Sequence, residues 1–512
     1  MVAKKQDEAH APVQPNQRQP LGWSDINWRK VKREVGRTQR RIFWETRKGR
    51  LWKVAKEQKR LCKSFYARLL AVLIVTELNE GRNTPGVDGR ICKTDEEKMQ
   101  LVHELGSKKY KPSPVWVVYI PKPGGGKRRL GIPTIRDRAE QALVKLAMDP
   151  EWEARFEPNS YGFRPGRRAI DATLNVVNLL THRKRCRLHP GWILDADISQ
   201  CFDNIDHAAL LEKIGTSPFR HKIKMWLKSG AISEVGFETT GKGTPQGGVI
   251  SPLLANIALD GIERLFGIYT ASGNYKSPSR RSGPNKDVSL IRYADDFIVV
   301  APSKSIIENH VVPKVRQFLK EMGLDLNKAK TRIVNISDGF EFLGFRFQRY
   351  YRRDGTVKRL CYSPSRKRVD RFLRSLRGTV RLYRTKDVQR MILAINRRVR
   401  GFCNYYRWSM AHKMFAYMTH RLWVILWRWA LRRHPKRGRR WLVDHYWRRV
   451  GRDKWTFSWH GTRVIHPYKL CVKWWLWAKI RITTSPYDTK ALSSWARVQS
   501  RRSSVSLLSG GW

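Results

Sequence analysis

A chain of 512 residues is too long for one hydrophobic core, and its 41% hydrophobic content is enough to fill two or three. The 102 Lys and Arg against 43 Asp and Glu leave a formal charge of +59, and self-repulsion of that size opposes compaction unless a polyanion or counterions offset it. The balance excludes an ordinary small-molecule enzyme and makes nucleic acid, held through its phosphates, the expected partner.

Residues 1–22 carry charge, Pro and Gln with no apolar signal segment, and read as a disordered leader. From Trp23 to about Leu78, apolar residues such as Phe43, Leu51, Val54 and Leu61 recur at helical intervals among Arg, Lys and Glu, predicting a basic helical arm over 23–90. Its longest apolar run, Leu69 to Val75, is far short of the roughly 20 residues of a membrane span, so it predicts a core helix and no membrane partner. The turn chemistry of Asn83-Thr84-Pro85-Gly86-Val87-Asp88-Gly89 closes the arm. Next, Val115 to Ile120 and Arg129 to Ile132 flank Pro121-Lys122-Pro123-Gly124-Gly125-Gly126-Lys127, a hairpin with a basic glycine-rich tip. Short strands follow around 192–198, 290–300 and 340–347 with helices between them, so 91–360 reads as an α+β domain on an antiparallel sheet. After about 365 strand signals fade. Phe415, Met418, Leu422, Ile425 and Trp429 form a helical stripe with Lys413, Arg421 and Arg428 off it. The run Arg432 to Arg440 interrupts this theme, which resumes at Trp474, Trp475 and Trp477 before a Ser-rich frayed tail over 493–510. The seven cysteines form no C-x-x-C pair, which indicates neither a zinc ribbon nor a disulfide framework.

In so basic a chain the acids mark the chemistry. Leu194-Asp195-Ala196-Asp197-Ile198 is an apolar strand running into Asp197. Ile291-Arg292-Tyr293-Ala294-Asp295-Asp296-Phe297-Ile298 is two apolar arms joined by paired acids, predicting a β-hairpin with both carboxylates at its tip. Adjacent acids repel unless a cation sits between them. Two Mg²⁺ ions about 3.5–4 Å apart, with Mn²⁺ as an alternative, would supply that cation and serve phosphoryl transfer through hard oxygen ligands. A lone Asp-Asp pair is ordinarily a polar turn, so the surrounding blocks decide.

Those blocks are recognisable. Tyr293-Ala294-Asp295-Asp296 resembles the signature of reverse transcriptases, Asp197 with Phe202 five residues on resembles their first catalytic block, and Gly243-Thr244-Pro245-Gln246-Gly247-Gly248 with Ser251-Pro252-Leu253-Leu254-Ala255-Asn256 resembles the block lining the nucleotide pocket. The resemblance implies that Asp197, Asp295 and Asp296 hold the metals, and that Phe202 blocks a ribose 2′-hydroxyl and so favours deoxynucleotides. Lys122 and Arg128 match triphosphate contacts, with Lys127 and Arg129 as alternatives if the alignment slips across the glycines. Gln246 would pack beside the sugar, Gly247 and Gly248 would let the template approach the backbone, and Lys330 would donate a proton to pyrophosphate. Arg164 in Tyr161-Gly162-Phe163-Arg164 is either a template or phosphate contact or a structural residue. Phe342 and Gly344 in Phe340-Glu341-Phe342-Leu343-Gly344-Phe345 resemble the turn that grips the primer.

The flanks narrow the family. Residues 23–88 resemble the N-terminal extension of group II intron proteins. Asn396-Arg397-Arg398-Val399-Arg400-Gly401-Phe402-Cys403-Asn404-Tyr405-Tyr406 and Leu426-Trp427-Arg428-Trp429-Ala430, with Arg432 and Arg433, resemble their thumb or maturase domain X. Arg400, Asn404, Tyr405, Arg428, Arg432 and Arg433 are therefore the expected RNA contacts, since guanidinium planes and rings stack on bases while charge follows phosphates. The resemblance implies a right-hand polymerase: fingers and palm over 91–360, an α-helical thumb over 361–450, and a basic DNA-binding region with a tail over 451–512, in a form without the zinc-binding endonuclease. Its partners would be intron RNA, target DNA and deoxynucleoside triphosphates, and its place the bacterial cytosol. A defence-associated or CRISPR-linked reverse transcriptase and a non-catalytic splicing factor are the rival readings.

Overall fold

The computed structural model describes residues 22–107, 109–121, 125–181, 191–267, 283–285, 288–354, 356–451, 453–472, 484–488, 498 and 500. The expected leader, Lys122, the tryptophans at 474, 475 and 477 and most of the Ser-rich tail lie outside the described residues.

The N-terminal helices Trp28–Arg47, Leu51–Lys63 and Phe65–Leu73 follow from their apolar spacing. They are not a free arm. Val31, Val35, Ile42, Val54 and Leu61 are buried in one core with residues of the helix Ile135–Arg155. Side-chain amides complete that contact: Gln39 donates to the Leu146 carbonyl at 2.9 Å and Gln58 donates to Glu151 at 2.6 Å. The helix Asp95–Glu104 also packs on this layer, so the sequence boundary at residue 90 cuts through a continuous unit. It starts with a capping box in which Thr94 accepts from the Glu97 amide and Glu97 accepts from the Thr94 amide. Thr94→Ala is expected to cost about 1 kcal/mol, read as faster amide exchange through 95–104 with exchange in Ile135–Arg155 unchanged.

The predicted hairpin is present as β1 (Val115–Pro121) and β2 (Lys127–Ile132), in register from Trp116 opposite Ile132 to Pro121 opposite Lys127. After β3 (Trp192–Asp197) comes a short hairpin that the sequence did not announce, β4 (Ala231–Ser233) and β5 (Gly236–Glu238). It extends the first sheet to the order β2-β1-β4-β5, with β1 and β4 parallel. β6 (Ser289–Tyr293), β7 (Asp296–Ala301) and β8 (Arg332–Asn335) join β3 in the order β6-β7-β3-β8, antiparallel throughout. This is the expected palm. Successive side chains on a strand point to opposite faces, and both faces here are covered. Leu194, Ala196, Leu290, Phe297 and Val299 enter the core shared with the N-terminal helices. Ile193, Ile291, Ile298 and Val300 enter a second core shared with the C-terminal helices. The acids at the strand ends therefore sit on a floor held from both sides.

A further sheet of β9 (Phe340–Phe342), β10 (Phe345–Tyr351) and β11 (Val357–Pro364) leads to the helices Arg366–Leu382, Val388–Tyr406 and His412–Arg433, the expected thumb. Phe415, Met418, Leu422, Ile425 and Trp429 are buried as their spacing predicts. The boundary at 360 falls inside β11, and helical thumb begins at Arg366. Strands do not end there. After the helix Arg439–Tyr446, β12 (Trp447–Val450), β13 (Asp453–Trp459) and β14 (Thr462–Arg463) form a small antiparallel sheet across the expected boundary at 450. Its signal was hidden by Trp and Arg that also suit RNA contact. Phe457 is instead buried, stacked on Tyr446 with ring centroids 5.3 Å apart. Among the described residues no helix is long and apolar enough to cross a membrane.

Candidate active site

The palm register places Asp197 directly opposite Asp296, while Tyr293 pairs with Asp296 across the tip formed by Ala294 and Asp295. Strand pairing thus brings together acids about a hundred positions apart in the chain. Burial raises the Asp295 carboxyl pKa, with the Asp197 charge adding to the rise and Lys330 and Arg128 opposing it. Asp296 reaches solvent at the rim but is hemmed in by protein elsewhere. Its pKa is pushed up to about 7, by desolvation first, then by the Asp295 charge and a hydrogen bond with Asp197. Lys330 is exposed, yet its Nζ donates to Asp197 Oδ2 at 2.6 Å, and that bond raises its own pKa.

Carboxylate oxygens forced together are the kind of donor a hard divalent cation prefers, and among the described residues the Lys330 ammonium is bonded to one of them. As they stand, Asp197 and Asp296 are in contact while Asp295 acts on both through space, and among the described residues no group of three His, Cys, Asp or Glu encloses a metal position. The chemistry of the donors fits Mg²⁺, and an ion drawing Asp295 inward would complete it.

Phe202 follows β3 through a backbone turned at Gln200, where φ is +43°. It lines a cleft with Gln246, Pro245, Arg129 and Gly131, so the expected sugar gate and the expected sugar neighbour open onto one cleft, whose lining includes none of the three acids. The exposed Phe163 ring meets Phe202 edge to face at 6.2 Å and fixes its orientation. On β2, Arg128 is exposed and close enough for its charge to act on Asp295. Arg129 faces the cleft, bonded to Glu238 at 2.6 Å.

Several of the expected site residues have partners within the protein. Arg164 is buried, and four of its five guanidinium N–H groups are bonded, to Glu153 at 2.7 and 3.0 Å and to the carbonyls of Glu157 and Ser160, which favours the structural of its two readings. Gly247 and Gly248 do allow close approach, but to protein. A Cβ on Gly247 would stand 2.2 Å from the Gly131 carbonyl oxygen, and one on Gly248 2.6 Å from Ser251 Oγ. Phe342 is buried in the core. Gly344, at φ +82°, brings its turn against the thumb: a Cβ there would stand 2.7 Å from Tyr406 Oη. Tyr405 donates to the Leu343 carbonyl at 3.0 Å in the same contact, beside a groove also lined by Arg368, Arg371 and Phe372.

The remaining expected RNA contacts divide. Arg400 and Asn404 are exposed on the helix Val388–Tyr406. Arg428 and Arg432 line a groove with Arg377, Arg381, Arg384 and Arg421. Arg421 is on the cationic flank that the sequence marks, whereas Arg377, Arg381 and Arg384 are not among its expected contacts, although the spacing of 377 and 381 places both on one face of the helix Arg366–Leu382. Arg433 is held by the carbonyls of Arg384 and Lys386 at 3.1 and 2.9 Å and lies over the Trp429 ring.

Comparison with known proteins agrees with this architecture. A family model described as reverse transcriptase (RNA-dependent DNA polymerase) matches residues 120–347. The N-terminal domain of reverse transcriptase matches 23–105, and the group II intron maturase-specific domain matches 369–447. Protein YkfC of Escherichia coli (strain K12) is 34% identical over 320 residues, covering 57% of this chain and 83% of that protein. Group II intron-encoded protein LtrA of Lactococcus lactis subsp. cremoris is 27% identical over 408 residues, covering 64% of this chain and 66% of that protein. An uncharacterized 91 kDa protein in the cob intron of Schizosaccharomyces pombe is 27% identical over 392 residues, covering 64% of this chain and 47% of that protein. The chain thus spans just under two thirds and about half of the length of these last two relatives.

Proposed function

Because this chain belongs to the reverse transcriptases, in the form that carries a group II intron maturase-specific domain, we propose that it copies intron RNA into DNA during retrohoming and assists splicing of that RNA as a maturase. The carrying observation is the cross-strand pair Asp197 and Asp296 with Asp295 in the adjoining turn. These three carboxylates would hold two Mg²⁺ ions, which when bound activate a primer 3′-hydroxyl and offset charge on departing pyrophosphate. The other residues bind and select. Phe202 walls off the space a 2′-hydroxyl would need, and Gln246 supports the sugar from the same side. Arg128 draws the triphosphate toward the acids, and Lys122, outside the described residues, is the second cation that the resemblance implies for it. Lys330, now bonded to Asp197, turns to the pyrophosphate once the carboxylates have another cation, and can give it a proton there. The intron RNA itself carries the splicing chemistry, and Arg400, Asn404, Arg428 and Arg432 hold its phosphates and bases. Target DNA is the remaining partner, and the bacterial cytoplasm the place of action.

Primer extension on poly(rA)·oligo(dT) tests this reading. The chain is expected to incorporate dTTP in preference to UTP with Mg²⁺ or Mn²⁺. Phe202→Ala should narrow that preference by roughly 10–100-fold. A chain that extends the primer with neither nucleotide in either metal is not the polymerase described.

A further inference from the structure

The catalytic turn is built against local preference. Ala294 takes φ +58°, a left-handed conformation that costs an L-residue roughly 1–2 kcal/mol and that hairpin tips usually assign to Gly or Asn. Something must hold it there. Beneath the tip lies Arg292, which is 0% exposed at a strand position where an apolar residue would be cheaper to bury. Its Nη1 donates to the Ala294 carbonyl at 3.2 Å and to Asn256 Oδ1 at 3.0 Å. Asn256 is itself buried, on the helix Ser251–Ala258, and its Nδ2 donates to the Gly162 carbonyl at 2.8 Å. Gly162 closes the circuit: a Cβ on it would stand 2.3 Å from the Ala294 nitrogen, so the two backbones are pressed together. On the other side of Gly162, the Tyr161 amide donates to the Arg292 carbonyl at 2.9 Å and the Arg292 amide donates to Asn159 at 3.0 Å.

From this arrangement we propose that Arg292 and Asn256 are positioning residues for polymerisation, forming a buried strut that locks the Ala294 peptide and thereby aims the Asp295 and Asp296 carboxylates. The proposal rests on the reading of those acids as the catalytic centre and adds what orients them. Arg292 suits the task because one rigid guanidinium reaches two acceptors on different elements at once. A methionine of similar length would fill the space and reach neither. The charge is retained at the cost of burial because it fixes geometry rather than stability.

The test uses the full chain on poly(rA)·oligo(dT) with dTTP, titrating Mg²⁺. Arg292→Met is expected to lower kcat by about 10²-fold, the penalty of a misplacement near 1 Å, with KM for primer–template changed by less than about threefold. The Mg²⁺ concentration for half-maximal rate should rise. Arg292→Lys, which keeps a charge and donors, should recover part of both effects, and Asn256→Ala should shift the Mg²⁺ requirement in the same direction by a smaller factor. A packing role alone would lower the folded fraction and leave the Mg²⁺ curve in place. Should Arg292→Met fail to fold, Asn256→Ala carries the decision, because it removes the link to Gly162 and leaves the Arg292 bond to Ala294. Superimposable Mg²⁺ curves and unchanged kcat per folded molecule overturn the strut. An Asp296→Asn protein that still polymerises overturns the underlying assignment instead, so the two failures are distinct.

Discussion

Asp296→Asn will abolish DNA synthesis, by roughly 10³-fold or more, while RNA binding stays within about twofold of the parent chain. The amide matches the carboxylate in shape, so the strand pairing with Asp197 is kept. It lacks the charge, and offers one weak acceptor where a divalent cation needs an anionic oxygen. The same change relieves the fold. Asp296 sits beside Asp197 and Asp295, and burial with their charges pushes its carboxyl up to about 7, which shows that the ionised form is disfavoured in the folded chain. The variant should therefore be at least as resistant to heat as the parent, an inactive protein that is not a damaged one. Asp295→Ala extends the test to the second proposed activity. DNA synthesis should be lost and intron splicing largely kept in one preparation, because no splicing step is assigned to these acids. If splicing also disappears while RNA binding and folding are intact, the division of labour between RNA and protein is wrong.

How far the sequence revealed this site depends on what each residue's signal was made of. Asp197, Asp295 and Asp296 stand out as acids flanked by apolar strands in a chain with a charge of +59, but it is the surrounding blocks, through their resemblance to reverse transcriptases, that single them out from ordinary polar turns. The hairpin of β1 and β2 was legible from two strand-like runs around a basic, glycine-rich tip. Arg292 and Asn256 were not, since their roles come from a meeting of three segments that local pattern does not encode. The small sheet of β12 to β14 was hidden for a different reason. Its aromatic residues carry one composition that serves either packing or nucleic-acid contact, and only the stacked Tyr446 and Phe457 decide for packing there. Gly247 and Gly248 show the same ambiguity: glycine signals that something comes close without saying what. The N-terminal helices are legible from their apolar spacing, but what they pack on is not, because Gln39 and Gln58 reach carbonyl and carboxylate partners more than eighty positions away.

Arg164→Met should destabilise the fingers and palm by about 3–5 kcal/mol, the range expected when one partner of a buried ion pair is removed. Its guanidinium meets Glu153 through two bonds in a place where the two side chains are 3% and 1% exposed. It also serves the Glu157 and Ser160 carbonyls and lies 5.3 Å over the Phe156 ring. Without it Glu153 remains as a buried charge with its principal partner gone, and two carbonyls lose a donor. The loss would appear as a lower urea midpoint. Removing both charges, as Arg164→Met with Glu153→Leu, should restore much of the stability, because a buried pair is worth far less than the penalty of breaking it. A nucleic-acid contact behaves oppositely: its removal would leave the fold intact and reduce the slope of log affinity against log salt by about one contact. An unchanged urea midpoint with a reduced salt slope would return Arg164 to the template. The expected result is a displaced midpoint with the salt slope of the folded fraction preserved, because this arginine is buried and four of its five donors are bonded within the protein.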